Sequence, residues 1–426
     1  MIPHPQTELS IYIHIPFCTS RCRYCNFYFE TGWSPRVMER TLEGILQELS
    51  WYKFQGLLLP GSVKTLYMGG GTPSTVPPEQ LNTFLSRFFL ILGPENPPEQ
   101  LQEFCFECNP ESISPSLLQV LNFHSVDRIS LGVQTFDTDL LGLLGRRATR
   151  PIVEQAFEVL SEHWPHELNL DFITGIPGQT REQVLHDLET ATGVNPVHFS
   201  LYSLTVEENT PLEQYTRLPR QHGGIHPTSG TIHEDLWLAG KDFLEQKGYT
   251  HYEVSNFSLP GKESAHNLAY WAMKPYLGLG PGAVSALKSA TGPYRRTNPN
   301  MFAYSAPSKP WNSFQPEYET PTPRQWLTDY LITGMRTNRG IMRAQLEKDL
   351  RFNSEQGLWT LLCEAFEPLV TKQQAICSNL SITLSPASRL IQDPLILSVE
   401  QNLENKLQKN QQSLVFVNPS RENIDT

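Results

Sequence analysis

Three cysteines stand close together in Cys18-Thr-Ser-Arg-Cys22-Arg-Tyr-Cys25, with the spacing C-x3-C-x2-C. Thiolates this close on one loop can each hold one iron of a cubane [4Fe–4S] cluster and leave the fourth iron without a protein ligand. An open iron can chelate a small molecule through an amine and a carboxylate and pass it an electron. Two other readings compete. Buried core thiols would not be interleaved with polar and basic residues, and zinc commonly takes four ligands built on C-x2-C pairs. The spacing favours the cluster.

Other residues gather where strands end. Gly69-Gly70-Gly71-Thr72-Pro73 would let a backbone approach a ligand closely and expose its polar groups, although a bare tight turn reads the same way. Glu107, in Glu107-Cys108-Asn109-Pro110, could hold hydroxyls or an ammonium, or be a solvated strand end. Gln134 closes Arg128–Gln134, and Asp171 lies inside the apolar Leu168–Thr174, where a charge needs a partner. Cys105 and Cys108 also make a C-x2-C pair, but within a strand and with no second pair nearby. Cys363 and Cys377 read as ordinary buried thiols.

The elements that would position these residues alternate. Ile11–Ile15, Val63–Met68, Gln102–Cys108, Arg128–Gln134, Leu168–Thr174 and His198–Leu204 read as strands. Helical patterns follow at Pro35–Phe54, from about Glu79, after Pro115, at Asp137–Leu144, Pro151–His163 and from Arg181. Repeated βα units imply a parallel sheet that curls into a full or partial barrel, with functional residues at the C-terminal strand ends. The expected fold is α/β: a partial (β/α)6 TIM-like barrel over 1–292, with an irregular excursion at 205–230 before a helix at Thr231–Lys247. A Pro-rich linker at 293–323, a small, mainly helical, winged-helix-like domain at 324–400 and a flexible tail at 401–426 complete the division.

The formal net charge of −11 argues against nucleic acid as a partner. No apolar run is long enough to span a membrane, and no secretory signal is visible, so a cytoplasmic protein without disulfides is expected.

The segment Tyr12-Ile-His-Ile-Pro-Phe-Cys18 with its cysteine loop resembles the radical S-adenosylmethionine (SAM) proteins related to oxygen-independent coproporphyrinogen III oxidase, from about Leu9 to about Ile341. The resemblance implies a [4Fe–4S] cluster on Cys18, Cys22 and Cys25. It places SAM against Tyr12, Tyr24, Gly70, Gly71, Thr72, Glu107, Gln134, Arg146 and Asp171, with Arg146 favoured over its neighbour Arg147 by its distance from Gln134.

Two activities belong to such proteins: oxidative decarboxylation of coproporphyrinogen III in porphyrin biosynthesis, and chaperoning of haem to target proteins. The oxidase carries a further cysteine where this chain has Phe27, and a longer extension before the first strand, where this chain has 11 residues ahead of Tyr12. His266-Asn-Leu-Ala-Tyr-Trp271 matches the H-N-x-x-Y-W motif of the haem-chaperone subgroup. Tyr276-Leu-Gly-Leu-Gly-Pro-Gly-Ala283 and Gly334-Met-Arg-Thr-Asn-Arg-Gly-Ile341 resemble that subgroup too. The implied function is that of a haem chaperone, with His266 as haem ligand; on residue chemistry alone His266 and Trp271 read as packing at the barrel's end. Haem, a haem-accepting target protein and a second copy of the chain are the expected partners.

Overall fold

The structure is a computed structural model and describes residues 4–217, 230–305, 316–352, 357–410 and 414–417. Six parallel strands form its centre: β1 (Leu9–Ile15), β2 (Val63–Gly70), β3 (Glu103–Cys108), β4 (Arg128–Gln134), β5 (Glu167–Thr174) and β6 (His198–Ser203). They pair in sequence order. Each falls within two residues of its expected position, because apolar runs bounded by turn residues mark buried parallel strands well.

Helices return each strand to the next. The helix Pro35–Phe54 starts on Ser34, whose hydroxyl accepts from Val37 N, and buries Met38, Leu42, Ile45, Leu46 and Leu49 against the sheet. The helix Arg181–Thr192 opens on a Thr180/Gln183 capping box. One apolar core runs through the barrel wall, from Ile11 and Ile13 through Leu66, Phe104, Ile129 and Leu170 to Phe199.

The barrel is open. Beyond β6 lie the short antiparallel strands β7 (Thr250–His251) and β8 (Asn256–Ser258). Beyond β1 lie β9 (Tyr276–Leu279), parallel to β1, then β10 (Val284–Ser289), β11 (Gly292–Thr297) and β12 (Glu317–Glu319). This corrects the expected linker for 293–305 and 316–323, while 306–315 lie outside the described residues. Its prolines hid β11, which pairs along its whole length with β10. Within the expected excursion a helix forms at Pro211–Arg217, and 218–229 lie outside the described residues.

The C-terminal part has its own core of Trp326, Leu331, Leu362, Phe366 and Leu403, among others. Helices Pro323–Gly334, Leu358–Thr371 and Gln392–Asn410 pack there, beside a three-stranded antiparallel sheet of Ile341–Met342, Ser381–Leu384 and Ala375–Cys377. The expected flexible tail at 401–426 is corrected for 401–410, while 411–413 and 418–426 lie outside the described residues. The last helix runs through 401–410, and Leu403 is fully buried, since its sparse apolar residues are spaced to meet the core.

Cys363 and Cys377 are joined as a disulfide, with Cα atoms 5.9 Å apart, and are not ordinary thiols as expected. Alkylation of the denatured, unreduced chain should therefore label the five remaining cysteines and spare these two. Peptide mass spectrometry reads this directly, and seven labelled cysteines would refute the link. Among the described residues no helix is long and apolar enough to cross a membrane.

Candidate functional site

A cleft of about 580 Å³ opens at the C-terminal ends of the parallel strands. That is where a barrel presents its variable loops, and the volume suits a small-molecule ligand. Cys18, Cys22, Cys25, Tyr24, Gly70, Gly71, Thr72, Glu107, Gln134, Arg146 and Asp171 all line it. These residues come from the C-terminal ends of β2, β3 and β4, from inside β5, from the cysteine loop after β1 and from the turn after the helix Thr138–Leu144.

The cysteine loop leaves β1 and is fastened at both ends. Its base is held by Cys18 N–H donating to Glu30 O (3.0 Å) and Glu30 N–H to Pro16 O (2.7 Å). Its tip is held by Arg23 N–H donating to Leu144 O (2.8 Å) and Leu212 N–H to Arg23 O (2.8 Å). The loop position is thus set by backbone bonds and does not depend on the thiols. Cys18 Sγ lies 3.6 Å from Thr72 Oγ1, and an Arg146 nitrogen lies 3.7 Å from Cys22 Sγ. Burial raises the Cys18 thiol to about 11, and a neighbouring iron would oppose this by stabilising the thiolate.

Among the described residues no three His, Cys, Asp or Glu side chains converge as ligands of a single metal ion do.

The glycine turn is steric in origin. A Cβ on Gly69 would meet the Glu107 carboxyl at 2.8 Å, and one on Gly70 would meet the His14 imidazole at 2.7 Å. Gly70 also has φ +117°, which residues with side chains rarely adopt. Gly70→Ala should therefore displace the turn and cost ~1–3 kcal/mol of stability. Thermal unfolding measures it, and an unchanged Tm would contradict the steric reading.

Two carboxylates sit deep in the cleft. Glu107 accepts from Tyr67 Oη (2.8 Å) and from Gly70 N–H (3.1 Å). Burial, with a smaller contribution from the nearby Asp171 charge, pushes its carboxyl up to about 7 against the hydrogen bonds from Tyr67 and Gly70. Asp171 accepts from Ser130 Oγ (3.1 Å) and Asn169 Nδ2 (2.8 Å), and burial raises it as well. Both are strand-borne and hydrogen-bonded, so neither is a solvated strand end.

Arg146 is delivered by Gly145, whose left-handed backbone ends the helix Thr138–Leu144 and turns the chain back. Its guanidinium donates to Gly132 O (2.7 Å) and Asn109 Oδ1 (2.9 Å), and its buried Nε has no hydrogen-bond partner among the described residues. Arg147 is exposed at the lip, so Arg146 is the residue inside. Gln134 holds φ +71°, a strained value that turns the chain at the end of β4.

Tyr12 and His266 do not join this set. Tyr12 lies beneath the cleft with its hydroxyl 3.0 Å from His14 Nδ1. His266 is at the opposite, N-terminal end of the barrel, where its helix Ala265–Trp271 forms the floor. Its Nδ1 meets Thr65 Oγ1 at 2.9 Å, its side is 5.1 Å from the Tyr67 ring, and burial lowers it to about 4. The imidazole thus packs the barrel's end, apart from the cleft, and this placement does not by itself support the expected role as haem ligand.

Residues missed from the sequence are His14, Tyr67 and Asn109. All three hold others in place, and only their inward-facing strand or strand-end positions could have indicated them. Cys105 and Cys108 point to opposite faces of β3, so they make no metal pair.

A three-cysteine loop over the C-terminal mouth of an open six-stranded barrel defines the radical SAM class, and residues 12–191 match the Radical SAM superfamily. Within it the chain is 32% identical over 354 residues to the heme chaperone HemW of Lactococcus lactis, covering 82% of this chain and 87% of that one. It is 35% identical over 278 residues to the heme chaperone HemW of Bacillus subtilis, covering 64% and 70%. The chain belongs to the HemW heme-chaperone family. Coproporphyrinogen III oxidase (HemN) of Escherichia coli shares the fold, with a TM-score of 0.72 at 20% identity over 95% of this chain and 92% of that one.

Proposed function

We propose that this protein binds a [4Fe–4S] cluster on Cys18, Cys22 and Cys25, holds SAM in the cleft beside it, and carries haem to an acceptor protein. The observation that carries the reading is the cleft itself, where three thiols on a fixed loop face Gly70–Thr72, Glu107, Gln134, Arg146 and Asp171 across one cavity. Bound there, the cluster would supply an open iron and an electron. The protein's part is to orient: Glu107 and Asp171 suit an ammonium and hydroxyls, and Arg146 suits a carboxylate.

The names of the relatives support haem as cargo rather than substrate. So does Phe27, which stands 75% exposed at the lip where the oxidase has its additional cysteine. An apolar ring in that position offers a porphyrin a stacking face and no thiol.

Anaerobic titration of the reconstituted protein with haem tests the reading. A saturable shift of the Soret band is expected, with no decarboxylation of coproporphyrinogen III when SAM and a reductant are supplied. An unshifted Soret band, or turnover of the porphyrinogen, would favour the oxidase reading.

A further inference from the structure

The floor of the barrel is tied to both cleft carboxylates. Glu103, at the start of β3, accepts from Ser264 Oγ (2.7 Å), Ala265 N–H (2.9 Å) and His266 N–H (3.3 Å), which pins the segment that closes the barrel. Arg128 of β4 balances that carboxylate at 3.5 Å. Two chains of contacts climb from this segment.

The first arm runs through β2. The His266 ring packs 5.1 Å from the Tyr67 ring, and the Tyr67 hydroxyl donates to Glu107 Oε1 at 2.8 Å. Glu107 in turn holds Gly70 N–H. Tyr67 has an aromatic face toward the floor and a polar end toward the cleft, so the packing below decides where its hydroxyl points.

The second arm runs through β5 and β6. Ser264 N–H donates to Tyr252 Oη (3.2 Å), and Tyr252 Oη lies 2.8 Å from His198 Nε2. His198 Nδ1 lies 2.6 Å from Asn169 Oδ1, and Asn169 Nδ2 donates to Asp171 at 2.8 Å. Burial keeps His198 neutral. One tautomer satisfies the whole series: Tyr252 donates to Nε2, and Nδ1–H donates to Asn169. Every hydrogen in the arm then points toward Asp171, and such aligned bonds reinforce one another in a buried setting.

We infer that the segment Ser264–His266 is a positioning element for the SAM cleft, acting on Glu107 through Tyr67 and on Asp171 through Tyr252, His198 and Asn169. It deepens the proposed function and rests on SAM occupying that cleft. The aromatic motif at 266–271 thus serves the cofactor site from below.

The test is a set of double-mutant comparisons on the reconstituted holoprotein, read as SAM affinity by equilibrium dialysis, with cluster absorbance per chain as the control for folding. Tyr67→Phe, His266→Ala and Tyr252→Phe should each weaken SAM binding ~10-fold, the scale of one lost hydrogen bond to a charged group. Tyr67→Phe combined with His266→Ala should be no worse than either alone, because both cut one arm. Tyr67→Phe combined with Tyr252→Phe should multiply toward ~100-fold, because the arms are separate.

His266→Phe, which restores a ring against Tyr67, should recover most of the loss and leave haem absorbance unchanged. If His266→Ala does not fold, His266→Gln replaces it, keeping volume without the aromatic face. Unchanged SAM affinity in His266→Ala, multiplicative loss in the Tyr67/His266 pair, or loss of the haem spectrum in His266→Phe would each overturn the inference. A wild-type protein that binds no SAM would instead overturn the proposed function on which it rests.

Discussion

Replacing Cys22 with alanine is expected to abolish the visible absorbance of the cluster after anaerobic reconstitution, and SAM binding with it. The loop is fixed by backbone bonds at Cys18 and Arg23, so another thiol cannot swing into the vacated position. The one other free cysteine on the cleft is Cys108, among the described residues. Its thiol is pushed far up by burial, and it sits on a rigid strand, so it is a poor thiolate donor. Cys108→Ala should accordingly keep the cluster. Iron and sulfide analysis beside the spectrum reads both variants, and a full cluster in Cys22→Ala would mean a different ligand set.

Glu107 should give the second large effect, with opposite signs for stability and for binding. Its carboxyl rises from 4.5 to about 7 on folding, chiefly through burial. A carboxyl raised in this way adds stability at low pH, and that stability is lost as pH climbs through 7 and the buried group ionises. The loss is at most ~3 kcal/mol. The ionised form is the one that attracts the SAM ammonium. Apo-protein stability from this group should therefore fall between about pH 4.5 and 7, while SAM affinity rises as the pH passes through 7.

Glu107→Gln should remove the slope in affinity, lessen the slope in stability, and weaken SAM binding ~100-fold at pH 8, since a buried charge would lose its partner. The stability slope that remains comes from other carboxyls raised by burial, among them Asp171 in the cleft and Asp127, Asp187 and Glu253 outside it. Thermal unfolding and dialysis across that pH range measure the two trends. A wild-type affinity that does not change with pH would contradict the role given to Glu107.

The barrel and most of the cleft were legible in the sequence for a physical reason. Buried parallel strands are continuous apolar runs, and the residues at their ends must face the same mouth. That rule alone brings Gly70, Glu107, Gln134 and Asp171 together. The resemblance added Tyr24 and Arg146. What was not legible depends on packing between distant segments. β7 to β12 are short or rich in proline and glycine, and they become strands by pairing with neighbours. The last helix carries too few apolar residues to announce itself, yet Leu403 fills a core built by Trp326 and Leu362.

His266 illustrates the limit most clearly. Its motif marks a subgroup, but residue type cannot tell a ligand from a support. Only the contacts with Thr65, Tyr67 and Glu103 place it at the floor. Tyr12 lies deeper than the residues lining the cleft, since a strand's alternation shows that a side chain points inward but not at which depth. The Cys363–Cys377 link needed two segments 14 residues apart to meet, which spacing does not reveal.

The account stands on one geometric claim, that an open iron held by Cys18, Cys22 and Cys25 faces a SAM site at the strand ends. Electron paramagnetic resonance of the reduced, reconstituted protein with and without SAM tests it most directly. A full cluster whose spectrum shifts on adding SAM, with the shift lost in Asp171→Asn while the cluster remains, is the predicted result. A fully loaded cluster whose spectrum ignores saturating SAM would contradict it.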